Sequence, residues 1–157
     1  MSTEAYNSIR TYVDHNSIAI LGTINPDGSP HGAVIYTCTD SDHPVVYFIT
    51  KQATTKYQNL IKRSQVSLTI VNPAENSTLQ GNGRAFEVED PAVIDVVMKK
   101  NAQKHVSAQE WLPPIAKLRA GAYVIIGIAL ANARLAQFQG MTIGDEHIFT
   151  ELRASEL

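Results

Sequence analysis

The sequence predicts a mostly β chain with peripheral helices, of α+β class, whose strands close or nearly close into a barrel. Two observations carry this. Six stretches rich in Ile, Val, Leu, Tyr and Phe lie between clusters of Gly, Pro, Asn, Asp and Ser. The helical stretches between them are short, and strands joined in that way hide their edges best by pairing around a ring.

The order reads helix, three strands, helix, two strands, helix, strand. Ser2 or Thr3 is placed to cap a first helix, with Glu4 in its first turn, and Tyr6, Ile9, Tyr12 and Val13 fall at helical spacing up to about Asp14. Ser17 to Ile24 and Ala33 to Thr39 flank the turn-forming segment NPDGSP, Asn25 to Pro30, and read as a β-hairpin. After a second turn, Asp40 to Pro44, the β-branched and aromatic run Val45 to Thr50 makes a third strand. Thr54 to Arg63 reads as a short helix with Thr54 as its cap and Tyr57, Leu60 and Ile61 on one face.

Val66 to Val71 alternates as a fourth strand and ends at Asn72-Pro73. The fifth, Thr78 to Val88, is interrupted by Gly81 and Gly83, which signal a bend, a bulge or a closely approaching ligand. Asp90-Pro91 starts a third helix carrying Val93, Val96, Val97 and Lys100 on one face. Pro113-Pro114 breaks any single helix across Gln103 to Arg119. Tyr123 to about Phe138 is a long sixth strand, and Ile148-Phe149 could add a short further one.

Length and composition set the bounds. The 157 residues suit a single domain over 1–157, and a chain of this size buries roughly 70% of its unfolded surface without staples. A net charge of −2 argues against a dedicated nucleic-acid binder, which concentrates basic charge on one face. The lone cysteine, Cys38, has no internal disulfide partner and suits a reducing compartment. MSTEAYNSIR has no apolar signal core, and the longest apolar run, Ala122 to Ala131, is too short to span a bilayer. The expectation is a soluble, cytoplasmic protein with no membrane partner.

Other chemistries lack their motifs. There is no GxGxxG after a strand, no GxxxxGK[ST], no GxSxG and no HExxH. His15, His31, His43, His105 and His147 are scattered, so no metal site is expected.

Three segments, taken in order, resemble the flavin-binding split barrels of the pyridoxamine 5′-phosphate oxidase family. They are IAILGTINPDGSPHGAVIY (Ile18 to Tyr36), VVYFITKQATTKYQNLIKRSQVSLTIVNP (Val45 to Pro73) and LQGNGRAFEVEDP (Leu79 to Pro91). The resemblance covers roughly half the chain. It implies a six-stranded antiparallel split β-barrel of the FMN-binding type, paired as a homodimer with the cofactor at the subunit interface. It further implies that Val34, Ile35 and Tyr36 present backbone to a flavin ring. Thr50 and Lys51 would end the third strand beside it, with Ile35 and Ile49 as apolar walls. Thr54, Thr55 and Lys56 would receive the phosphate, and Thr78 and Gln80 would meet the polar edge of the ring.

Chemistry supports the phosphate position. A helix start offers free N–H groups and positive dipole; Thr54 and Thr55 add hydroxyls, and Lys51 and Lys56 add charge. Read without the resemblance, the same residues make a helix cap with two solvated lysines. Arg84 reads first as an exposed strand arginine, with an anion partner as its alternative, and Trp111 reads first as a buried anchor at a loop, with a cover over the flavin of the partner subunit as its alternative. Relatives that oxidise pyridoxamine phosphate place an arginine where this chain has Ala33, and Ser-Arg-Lys where it has Thr54-Thr55-Lys56. The resemblance is therefore to the small general-stress and flavin-reductase-like members. It implies an FMN-dependent oxidoreductase acting on a small molecule with a nicotinamide or other donor, and no side chain is assigned a catalytic role. A non-enzymatic flavin-binding stress protein, or the same barrel holding a deazaflavin or haem, stays open.

Overall fold

The computed structural model describes residues 2–106, 123–138 and 149–153. Three helices, α1 (Ser2–His15), α2 (Thr55–Lys62) and α3 (Pro91–Val106), surround strands β1 (Ile18–Ile24), β2 (Pro30–Thr39), β3 (Val45–Lys51), β4 (Gln65–Asn72), β5 (Ser77–Glu87), β6 (Tyr123–Gln137) and β7 (Phe149–Arg153). All pairings are antiparallel, in the order β3-β2-β1-β4-β5-β6-β7, and an extra β3–β6 pairing closes the first six strands into a barrel. β7 then adds to β6 outside the ring, the short further strand expected near Phe149. Trp111 and Pro113-Pro114 lie outside the described residues. None of the described helices is long and apolar enough to cross a membrane.

β6 makes closure possible. Its 15 residues are enough to pair three neighbours: 123–129 with β3, 126–137 with β5 and 132–136 with β7. Between Asn82 and Gly83 the β5–β6 register shifts by a bulge, and there the strands come very close. A Cβ on Gly83 would sit 2.2 Å from the Ala129 carbonyl oxygen, and one on Gly81 would sit 2.8 Å from that of Asn132. The two glycines thus make room for the neighbouring strand's backbone, not for a ligand.

The core fills the ring. Leu21, Phe48, Leu68, Ile70, Leu79, Ile126, Ile128 and Leu130 are almost completely buried, and α1 plugs one end with Ile9 and Val13. A second cluster lies outside the wall, where Val93 and Val97 of α3 cover Cys38, Val45, Tyr47 and Ile125. β3 is therefore buried on both faces over most of its length, which is why its sequence is apolar throughout. Cys38 is a fully buried member of this outer cluster.

Hairpins follow their turn residues. Asn25 N–H donates to the Ser29 carbonyl (2.8 Å), Gly28 takes φ +87°, and the Asp27 carboxylate accepts from Ser29 N–H and hydroxyl. This lets β2 begin at Pro30, three residues before the sequence pattern places it, because Ile24↔Pro30 and Thr23↔His31 already pair. The β4–β5 turn uses Asn76 at φ 47°.

Leu68→Ala, at 1% exposure, should destabilise the fold by roughly 2–5 kcal/mol in urea unfolding, whereas Ile61→Ala, at 53% exposure, should stay within about 0.5 kcal/mol. Equal losses at both positions would contradict this placement of the core.

Candidate functional site

The wall of the barrel is split between β2 and β3. Their ladder holds only the pairs Thr37↔Phe48, Cys38↔Tyr47 and Thr39↔Val46. β3 instead pairs with β6 along its whole length, from Val45↔Ala129 to Lys51↔Tyr123, while β2 pairs with β1 from Ile24↔Pro30 to Ile18↔Tyr36. Residues 30–36 and 49–51 therefore share no ladder with each other, and two strand edges face a common gap. The chain leaves β3 at this gap and turns into α2.

The turn is built by Thr54. Its backbone N–H donates to the Lys51 carbonyl (3.1 Å) and its hydroxyl donates to the same oxygen (2.8 Å). The hydroxyl oxygen also accepts from Tyr57 N–H (3.4 Å), an N-cap, and lies 3.0 Å from the hydroxyl of Thr50, which is buried. The hydroxyl proton of Thr54 is thus committed to the turn. In this structure Thr54 shapes the corner, and the exposed Thr55 stands beside it at the start of α2.

The two lysines differ. Lys51 is buried at 7% exposure, with its ammonium 5.1 Å from the centre of the Tyr123 ring, an ordinary cation–π distance. Lys56 sits half-buried in the first turn of α2, and burial pushes its ammonium below the usual lysine value. Among the described residues no carboxylate lies in ion-pair range of Lys56. A desolvated, unpaired ammonium beside the N–H groups of a helix start is an arrangement that an anion would relieve.

α2 is fixed firmly enough to present this corner. Buried Asn59 donates to the Thr23 hydroxyl (3.0 Å) and to the side-chain oxygen of Asn25 (2.9 Å), tying α2 to the end of β1. The Tyr57 hydroxyl donates to Glu87 of β5 (3.1 Å).

The structure groups the remaining sequence candidates in three places. Val34 and Tyr36 lie on the outer face of β2, beside the gap, and Ile49 lies across it on the outer side of β3, packed against the α3 cluster. Ile35 points the other way, into the barrel core at 3% exposure, so the expectation that it walls a ring is corrected; only its backbone is offered to the gap. Thr78 and Gln80 are on β5, and the register Val34↔Ile20, Ile20↔Thr69, Thr69↔Gln80 puts Gln80 three strands from Val34. At about 4.8 Å per strand that is roughly 14 Å across the outer face. These two residues do not join the α2 corner within one chain. Arg84 is an exposed strand residue whose guanidinium donates to the Ser64 hydroxyl (3.3 Å).

Sequence reasoning missed the gap itself, because nothing local in the sequence tells that β2 and β3 pair only at 37–39 and 46–48. It placed Asp40 and His43 in a turn, but not in the side-chain cluster that they form at the opposite end of β3.

None of the curated proteins matches this chain. Among solved structures, the fold is shared with general stress protein 26 from Bacillus anthracis str. Sterne, at 20% identity over 84% of this chain and 91% of that one, with a TM-score of 0.58. It is shared with a pyridoxamine 5′-phosphate oxidase-related, FMN binding protein from Nostoc punctiforme PCC 73102, at 12% identity over 95% and 93%, with a TM-score of 0.57. A heme binding protein from Mycobacterium smegmatis matches at 12% identity and a TM-score of 0.68, over 97% of this chain and 59% of its own. At these identities the likeness is one of fold. The family model described as pyridoxamine 5′-phosphate oxidase matches residues 7–136, from α1 through nearly all of β6, and the chain belongs to that family.

Proposed function

We propose that this protein binds FMN in the gap between β2 and β3 and works as a flavin-dependent oxidoreductase on a small molecule, with a nicotinamide or other electron donor. The observation that carries the reading is Lys56, a half-buried ammonium at the start of α2 with no acid partner among the described residues. Lys56, Thr55 and the first N–H groups of α2 would hold the phosphate. The facing edges of β2 and β3 would offer backbone groups to the polar rim of the ring, and Val34, Tyr36 and Ile49 would line it.

When bound, the flavin supplies the electron chemistry. The chain's part is to position it and keep its tail charge-paired. Lys51, held over Tyr123, keeps a second positive charge near the corner. No side chain is assigned as an acid or base. A flavin-binding protein without turnover would use the same site; the two differ in whether bound flavin, once reduced by NADH or NADPH, passes electrons to an acceptor. A deazaflavin would need the same phosphate corner. Haem fits less well, because none of the described histidines is among residues 34–36, 49–51 and 54–56, and His31 is paired with buried Thr23 on the core-facing side of the hairpin.

We also infer a homodimer in a cytoplasmic setting. Ile18, Ile20, Val34 and Val71 stand 46–56% exposed on one outer face of β2, β1 and β4. A contiguous apolar face of this kind favours burial against another protein surface. A two-fold pairing over it would bring Thr78 and Gln80 of one chain toward the gap of the other.

The freshly purified protein should be yellow and release FMN, identified by mass, at about one per subunit. A colourless protein that ignores added FMN would remove the reading. Light scattering should give the mass of a dimer; a monomer would leave Thr78 and Gln80 without a role. Lys56→Glu should weaken FMN at least ~10-fold by titration, whereas Lys62→Glu, at the far end of α2, should change it little. Because Lys56 must be charged to hold the phosphate, affinity should fall as pH rises through its lowered pKa, and the fall should be absent in Lys56→Arg.

A further inference from the structure

The end of β3 away from the α2 corner carries a second polar cluster, built around a buried carboxylate. Asp40, at 5% exposure, lies in the turn between β2 and β3. One of its oxygens accepts from the backbone N–H groups of Asp42 (3.2 Å) and His43 (2.9 Å). The other takes the His43 imidazole through Nδ1 (2.7 Å) and the Tyr47 hydroxyl (3.2 Å). The imidazole itself is half exposed, so solvent protons reach it.

This turn also holds α1. The Tyr6 hydroxyl donates to the backbone carbonyl of His43. Eight residues later on the same helix, Asp14 accepts from Thr39 N–H (3.0 Å) and hydroxyl (2.8 Å) and pairs with Lys100 of α3 (3.3 Å). Lys100 also donates to the Thr39 carbonyl. The C-terminal half of α1 is therefore anchored by Asp14, and its N-terminal half is tied to the turn through Tyr6.

We propose that the Asp40–His43 pair is a pH-sensitive clasp: with the imidazole protonated it locks the β2–β3 turn and, through Tyr6, the N-terminal half of α1, and deprotonation loosens both. The geometry makes His43 the variable member. Asp40 has all four of its bonds made inside the fold, and burial is offset by the His43 ring and backbone N–H, which hold its carboxyl below the usual range. Tyr6 is pushed up to about 12, and Tyr47 higher still, by burial first and then by the Asp40 charge, so both stay neutral donors. The Asp40 carboxylate raises the His43 imidazole, first by hydrogen bonding and then by charge, and Asp42 of the turn and Asp90 ahead of α3 add to it. Among the described residues, the other groups facing the cluster are Arg10 and Asp14 of α1, Cys38 of β2 and Lys100 of α3.

The sign follows from these directions. A raised imidazole contributes fully below its unfolded value of about 6.5 and loses that contribution as pH rises through the folded value. A lowered carboxyl contributes above its unfolded value of about 3.9 and loses it as pH falls through the folded one. The clasp is tightest between those limits and slackens on the alkaline side, independently of any cofactor.

Amide hydrogen exchange of the full chain, corrected for intrinsic exchange at each pH, tests the clasp. Between pH 6 and 8.5, opening of the first two turns of α1 and of residues 40–44 should rise several-fold in the wild type. In His43→Gln it should be the same at both values and match the wild type at pH 8.5. The His43 ring should titrate above 6.5 by NMR. Opening that ignores pH in the wild type, an equal pH response in His43→Gln, or a ring titrating at or below 6.5 would each overturn the proposal.

Discussion

Everything in this fold depends on one strand closing the ring between two others. β6 pairs with β3 over 123–129 and with β5 over 126–137, so 126–129 are paired on both edges. β3 gives one edge to β6 along all of 45–51, and on its other edge it meets β2 only at 46–48. The β6 pairing holds β3 in the ring although its ladder with β2 is short. The second edge of 49–51 and the facing edge of 30–36 are left without a ladder between them, and that is the gap. The price of the arrangement is crowding on the far side, where Gly81 and Gly83 are needed to admit the β6 backbone.

The corner at the mouth of the gap has a clear division of labour. Thr50, Thr54 and the Lys51 carbonyl form a closed set of hydrogen bonds that turns the chain and caps α2. Asn59 anchors the helix from beneath. Thr55, exposed, and Lys56, half-buried, stand beside this set at the helix start. A rigid, internally satisfied scaffold with a few uncommitted polar groups at its rim is the usual build of a binding site.

Much of this was legible from local chemistry. The NPDGSP turn, the Thr54 cap and the Asp90-Pro91 helix start each rest on a residue type with a stated backbone preference, and each appears where the sequence puts it. What the sequence did not carry concerns faces and distances. Ile35 was ambiguous because β2 is apolar on both sides, one lining the barrel and the other, at Cys38, lying under α3. Thr54 was read as a donor because its hydroxyl acceptor, the Lys51 carbonyl, is set by the fold of the turn. Thr78 and Gln80 were grouped with the β2 residues because nothing local in a sequence tells which strands lie between two others.

The central claim is that an anionic tail docks on Lys56 at the start of α2. Titration of FMN into the protein, followed by NMR at the backbone amides of Thr55 and Lys56 and the Lys56 side chain, tests it most directly. The account predicts saturable shifts centred on those groups and a rise in the Lys56 pKa toward the ordinary lysine value on binding. Saturable binding that leaves Thr55 and Lys56 unmoved and the ammonium pKa unchanged would contradict it.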